Sequence, residues 1–105
     1  MAVRYILSPE AKRDIEQIRA YYLDEAGAQV ARHVLGQITK ALRFLAASPG
    51  AGHRREDLTD EHVRFWPVLS FLIAYDPAMQ PIGIARVLHA ARDLETEFHK
   101  LPPRM

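Results

Sequence analysis

Two dense apolar runs, VLSFLIAY (residues 68–75) and IGIARVL (residues 82–88), constrain this chain more than any other feature; DPAMQP lies between them. Runs of this length, rich in Val, Ile, Phe and Tyr and bounded by proline, predict paired strands. VRFW (residues 63–66) predicts a shorter strand, with Pro67 marking an edge or a bend. Apolar residues fall on both faces of the two long runs, so both faces of the sheet need cover. One must meet helices. The other requires the C-terminal tail or a partner.

The upstream half supplies the helices. VRYIL (residues 3–7) predicts a first strand, and Ser8-Pro9-Glu10 a helix start. The serine hydroxyl can cap a free N–H, proline suits the first helical position, and glutamate suits the positive end of the dipole. Ala11, Ile15, Ile18 and Tyr22 recur at spacings that share one face, with Lys12, Arg13, Glu16, Gln17 and Arg19 on the other, as far as about Asp24. After Gly27 a second helix is expected from Ala28 to Ala47, its stripe formed by Val30, Val34, Ile38, Leu42 and Leu45, with Ala31 and Leu35 beside it. Ser48-Pro49-Gly50 stops it, and residues 50–61 form a polar loop. The expected order is β-α-α-β-β-β. This is an α+β fold in which a small, mainly antiparallel sheet packs against an N-terminal helical hairpin. At 105 residues it is one domain, 1–105. LETEFHK (residues 94–100) either forms a helix or folds on binding, and Pro102-Pro103 ends any helix there.

An apolar fraction of 49% and a charged fraction of 26% are those of a soluble globular protein. The absence of cysteine excludes disulfides and thiolate metal sites and is compatible with a cytoplasmic location. No stretch approaches the ~20 apolar residues that span a bilayer, and MAVRYILSPEA has no basic segment followed by a long apolar one, so no secretory leader is expected. Fourteen Lys and Arg against 13 Asp and Glu leave a net charge of +1, too little to drive nucleic-acid binding through the field of the whole chain.

The candidate binding residues cluster near the last strands: Arg64, Arg86, His89 and Arg92. If the strand ends converge, these make a small basic pocket for a phosphate or carboxylate, which guanidinium grips bidentately. The alternative is that each arginine pairs with a nearby acid such as Asp60, Asp93 or Glu95. His89 has the chemistry of a general base, but no second acid or base lies at a motif spacing, and a hydrogen-bonded structural role competes. His53, His62 and His99 are scattered and no HExxH occurs, so neither a metal nor a cofactor is expected. Phe65 and Trp66 beside Arg64 suit base stacking, or simply the core. Gly50 and Gly52 precede no helix, so that GxG is a turn.

RVLHAARD after an apolar strand, with FLIAY in the strand before it, resembles the ParE branch of the RelE/ParE toxin superfamily. YILSPEAKRDIEQIRAYY and LAASPGAGHRREDL are similar to the first helix and the loop of that family, and the likeness runs from about Tyr5 to Asp93. It implies a type II toxin neutralised by a cognate ParD-like antitoxin, acting in the cytoplasm on DNA gyrase and not itself reading nucleic-acid sequence. RelE-like relatives instead cleave mRNA on the ribosome. The arginine they carry in the central strand matches Leu72 here, their second arginine matches Arg92, and no tyrosine stands in residues 94–105. No catalytic residue is therefore assigned. Arg64, Arg86, His89 and Arg92 are expected to contact a target. A mRNA endoribonuclease and a non-toxic, antitoxin-binding module remain the alternatives.

Overall fold

The computed structural model describes residues 4–59 and 62–97. In chain order they form β1 (Tyr5–Leu7), α1 (Pro9–Ala26), α2 (Ala28–Ala47), a 3-10 turn (Pro49–Ala51), β2 (Arg64–Val68), β3 (Phe71–Asp76), β4 (Ile82–His89) and α3 (Ala90–Glu97). The sheet order is β1-β4-β3-β2. β1 runs parallel to β4, and the other two pairings are antiparallel. The expected α+β architecture is present, with a short third helix added after the last strand.

Local chemistry sets the boundaries of the hairpin. Ser8 Oγ accepts the Ala11 N–H at 2.9 Å, so the serine caps α1 as its position suggests. α1 outlasts the expected end at Asp24 by two residues. Gly27, with φ at 95°, then ends one helix and opens the next, its N–H bonded to the Tyr22 carbonyl at 2.9 Å. A join of one residue forces α1 and α2 side by side, and each lays a stripe on the sheet. Ile18, Val34, Ile38, Leu42 and Leu45 meet Phe71, Ile73 and Tyr75 of β3 and Ile82, Ile84 and Val87 of β4. Val30, expected on that stripe, is 41% exposed. It lies in the first turn of α2, beside the buried Ala31.

The long apolar run of residues 68–75 is not one strand. Val68 closes β2, Leu69 and Ser70 turn the chain, and Phe71 opens β3. Leu69 takes φ 53°, a left-handed conformation rare outside glycine, asparagine and aspartate. No turn residue announces it. Pro67 does lie in an edge strand, as expected, because β2 ends the sheet. Its outer side is partly sealed by His53 and Phe65, which exchange backbone bonds at 2.9 and 2.7 Å.

The second sheet face buries Phe65, Leu72 and Ala74 under Leu58 of the polar loop, with Val63 and Ala85 beside them. That loop residue supplies cover expected from the tail or a partner; residues 98–105 and the end of LETEFHK lie outside the described residues. Gly52 packs where no larger residue fits. A Cβ there would stand 2.5 Å from the Tyr75 hydroxyl, which accepts the Gly52 N–H at 2.8 Å and donates to the Pro49 carbonyl at 2.6 Å. Burial pushes the Tyr75 hydroxyl above the usual tyrosine pKa, against the Gly52 bond and the Arg64 charge.

Leu72 is 7% exposed among Leu58, Phe65 and Ala74. Leu72→Arg is expected to cost about 3 kcal/mol or more in urea unfolding, because an unpaired charge replaces a packed apolar group. Parental stability in that variant would place the side chain at the surface.

Candidate functional site

β1 pairs with β4 only at Ile82, Gly83 and Ile84. Beyond them the outer edge of β4 has no neighbouring strand among the described residues, and an enclosed edge with unpaired backbone groups is costly. α1 takes over. The Ser8 N–H donates to the Ile84 carbonyl at 3.0 Å and the Ser8 hydroxyl to the Ala85 carbonyl at 2.8 Å. Further along, Asp14 Oδ2 accepts the Val87 N–H at 2.9 Å, and Asp93 Oδ2 accepts the His89 N–H at 3.0 Å. Two successive outward N–H groups of β4 thus end on carboxylates instead of on a strand.

Asp14 also holds Arg86. Arg86 Nε lies 2.8 Å from Oδ2 and Nη2 2.9 Å from Oδ1, a two-pronged pair little exposed to water. A β-bulge brings the arginine there. Ala74 opposes Arg86 but Tyr75 opposes Ile84, so Ala85 is the extra residue. Strict alternation from Ile82 and Ile84 would aim Arg86 into the helix-side core. After the bulge Val87 takes that place and Arg86 reaches the edge.

A cleft of about 310 Å³ opens between α1, the end of β4 and the start of α3. Tyr21 and Tyr22 meet edge to face at 5.1 Å on one wall, and Phe71 meets the His89 ring edge to face at 5.6 Å on another. His89 Nδ1 is buried with no hydrogen-bond partner. Arg92 stands at the rim with its side chain 68% exposed, its Nε bonded to Asp93 Oδ1 at 3.1 Å. Burial works against ionisation of Asp93, but the His89 N–H and the Arg92 guanidinium outweigh it and hold the carboxyl below the usual aspartate value.

The single convergent basic pocket expected from sequence does not form. His89 and Arg92 share the cleft. Arg86 is tied to Asp14, which lines the same cleft. Arg64 lies on β2 at the far edge of the sheet, its Nη1 bonded to the Gly52 carbonyl at 2.9 Å. Pairing with acids, the alternative, holds for Arg92 with Asp93 and for Arg86 with an acid the sequence had not singled out. Arg54 and Arg55 of the loop face Glu56 and Asp57. Trp66 packs its ring against Phe44 and Phe65 is buried, so both aromatics serve packing. No group of three or more His, Asp or Glu among the described residues is placed to hold a metal ion. None of the described helices is long and apolar enough to cross a membrane. Asp14 and the tyrosine wall were missed. Asp14 falls three residues after Ala11 and four before Ile18, an acid on an apolar stripe, which is the signal that would have found it.

The helical hairpin on a four-stranded mixed sheet, closed at one edge by α1, has the fold of a chain of the chromosomal ParDE TA system from P. aeruginosa, with a TM-score of 0.70 at 21% identity over 83% of this chain and 95% of that one. No match is found among curated proteins. The family model for the ParE toxin of the type II toxin–antitoxin system, parDE, matches residues 5–94, and the chain belongs to that family.

Asp14→Ala strands a guanidinium and the Val87 N–H together, so it is expected to cost about 3 kcal/mol in chemical denaturation. Arg86→Ala should cost less, because Asp14 keeps its backbone partner. The reverse order would remove Asp14 from its place as the clamp.

Asp93 contributes stability that is complete above the ordinary aspartate pKa of 3.8 and is lost as pH falls through its lowered native value. Acid titration of the melting temperature should be flatter below that pH for Asp93→Asn than for the parent; superimposable profiles would show that the carboxylate bonds do not matter to folding.

Proposed function

We propose that this chain is the toxin of a type II toxin–antitoxin module that acts in the cytoplasm by binding and poisoning DNA gyrase, and that a ParD-like antitoxin neutralises it. Family membership across residues 5–94 carries this reading. The environment of Leu72 supports binding over cleavage. Where RelE-like relatives carry an arginine, an apolar side chain is packed among Leu58, Phe65 and Ala74 and has nothing to donate to a phosphate. Arg86 and Arg64 are held by Asp14 and by the Gly52 carbonyl at separate places in the sheet, so a set of converging cations for strand scission is not assembled from them.

His89 and Arg92, at one cleft, are the first target contacts in this reading. Arg86 sits behind them, and Arg64 makes any contact from the opposite edge. Their role is to grip a macromolecule, with no catalytic residue, metal or cofactor assigned.

Inducing the chain without its antitoxin should arrest growth with an SOS response and broken DNA, and Arg92→Ala should weaken the arrest without unfolding the protein. Arrest with intact DNA and cuts inside translated codons would reject this in favour of ribosome-dependent mRNA cleavage. Harmless accumulation of folded protein would leave only an antitoxin-binding module.

A further inference from the structure

The cleft between α1, the end of β4 and the start of α3 holds charges that are already matched and neutral groups that are not. Asp14 accepts from Arg86 and the Val87 N–H, and Asp93 from the His89 N–H and Arg92 Nε. Each acid thus has its own cation, and the charges cancel in pairs. Gln17, Tyr21 and Tyr22 also line the cleft, and their side chains make no hydrogen bond among the described residues. Neither does the imidazole of His89, whose Nδ1 is buried without a partner. Buried polar atoms are rarely left so, and no bond of the fold fixes which ring nitrogen carries the proton. Aromatic rings follow one another around the walls, each edge to face with the next: Tyr21 to Tyr22 at 5.1 Å, Tyr22 to Phe71 at 6.4 Å and Phe71 to His89 at 5.6 Å.

We propose that this cleft binds a nucleobase: a flat, uncharged heteroaromatic ring with donors and acceptors along its edge. Two perpendicular rings make a corner, so a flat ligand stacked on one meets the edge of the other. The Gln17 amide, the tyrosine hydroxyls and the His89 imidazole supply donors and acceptors for the base edge. A small ligand that is itself an ion fits less well. An anion would face Asp14 and Asp93, and a cation would face Arg92 while both carboxylates are already engaged. A hydrocarbon would take water from the polar groups and return no bond. At about 310 Å³ the cleft stands at the lower end of ligand-pocket sizes, roughly 300–1,000 Å³. It lies on the helix side of the sheet with Val87, whereas Leu72, matched to the arginine of the relatives that cut mRNA, is buried on the other face. Base binding here is therefore separate from that cleavage chemistry. A free nucleoside and an unpaired base of a strand present the same face and edge. The inference shares His89 with the toxin reading but does not rest on gyrase.

The full chain is titrated by calorimetry with adenosine, uridine, benzoate and tetramethylammonium, while the His89 ring protons are followed by NMR. At least one nucleoside should saturate at one per chain, shift the His89 signals and bind at least about tenfold more tightly than benzoate or tetramethylammonium. Tyr21 is 55% exposed, so Tyr21→Ala removes a wall without opening the core. It should weaken that nucleoside about tenfold at an unchanged melting temperature. His89→Phe keeps a ring against Phe71 and removes the unpartnered nitrogen. It should weaken binding while the melting temperature holds or rises, which separates a lost base contact from unfolding. A single-stranded trinucleotide of the same base that gives the same His89 shifts assigns the source: weaker binding than the nucleoside means a free ligand, tighter binding a strand. Benzoate or tetramethylammonium bound as tightly, indifference to Tyr21→Ala, or no saturable binding by the folded chain at millimolar nucleoside would each overturn the proposal. A chain that arrests growth but binds no nucleoside loses this site and keeps the toxin reading; a harmless chain that binds one does the opposite.

Discussion

The outer edge of β4 is the constraint on which the arrangement of this molecule depends. β1 covers three positions of it and stops. The remaining backbone groups must be satisfied without a strand, and α1 does so from two points, Ser8 and Asp14. These contacts fix more than an edge. Asp14 shares a helical face with Ala11 and Ile18, so anchoring it on Val87 turns both apolar residues onto the sheet. Because one residue joins α1 to α2, placing the first helix also places the second. Burying the Arg86–Asp14 pair carries a desolvation cost, offset only because both carboxylate oxygens are bonded and the fork is matched on two prongs. Its contribution is the rotation and height of α1 on the sheet.

That commitment divides the basic side chains into two populations. Arg86 and Arg64, in strands, are spent on Asp14 and on the Gly52 carbonyl, and they stiffen the fold at opposite edges. Arg32, Lys40 and Arg43, on α2, touch no acid among the described residues and face solvent. A net charge of +1 conceals this difference. Arg86 and the loop arginines stand against acids in place, Arg64 against a carbonyl, and the α2 cations against no acid among the described residues. A net charge this small leaves little long-range field.

The parts legible in the sequence were those set by neighbours in the chain. Ser8-Pro9-Glu10 opens α1 because capping is local, and the stripe of Val34, Ile38, Leu42 and Leu45 is buried because helical period alone places it. The parts that stayed hidden depend on distant or unmarked geometry. Asp14 and Arg86 are 72 positions apart, and nothing near either one announces the other. The extra residue Ala85 shifts the alternation of β4 without a glycine to mark it. Leu69 turns the chain with a residue that ordinarily forbids the turn. The bulge bears most directly on the candidate site. Counting IGIARVLH as a regular strand keeps Arg86 in step with Ile82 and Ile84; the bulge at Ala85 breaks that step, puts Val87 on the helix-side core and leaves Arg86 to reach Asp14 of α1.

Asp93 couples what remains of the site to the fold. It stands four positions after His89, so one carboxylate can accept the last outward N–H of β4 and also occupy the first turn of α3, where negative charge favours the helix. Its other oxygen takes the Nε of Arg92. The guanidinium at the rim of the cleft is thereby aimed by the same group that ends the sheet and starts the helix. The Ala90 N–H, bonded to the Ser70 carbonyl at 2.9 Å, fixes the junction against the β2–β3 turn. The Arg92 side chain is 68% exposed, so the bond to Asp93 biases the direction of the guanidinium and leaves its other donors toward solvent.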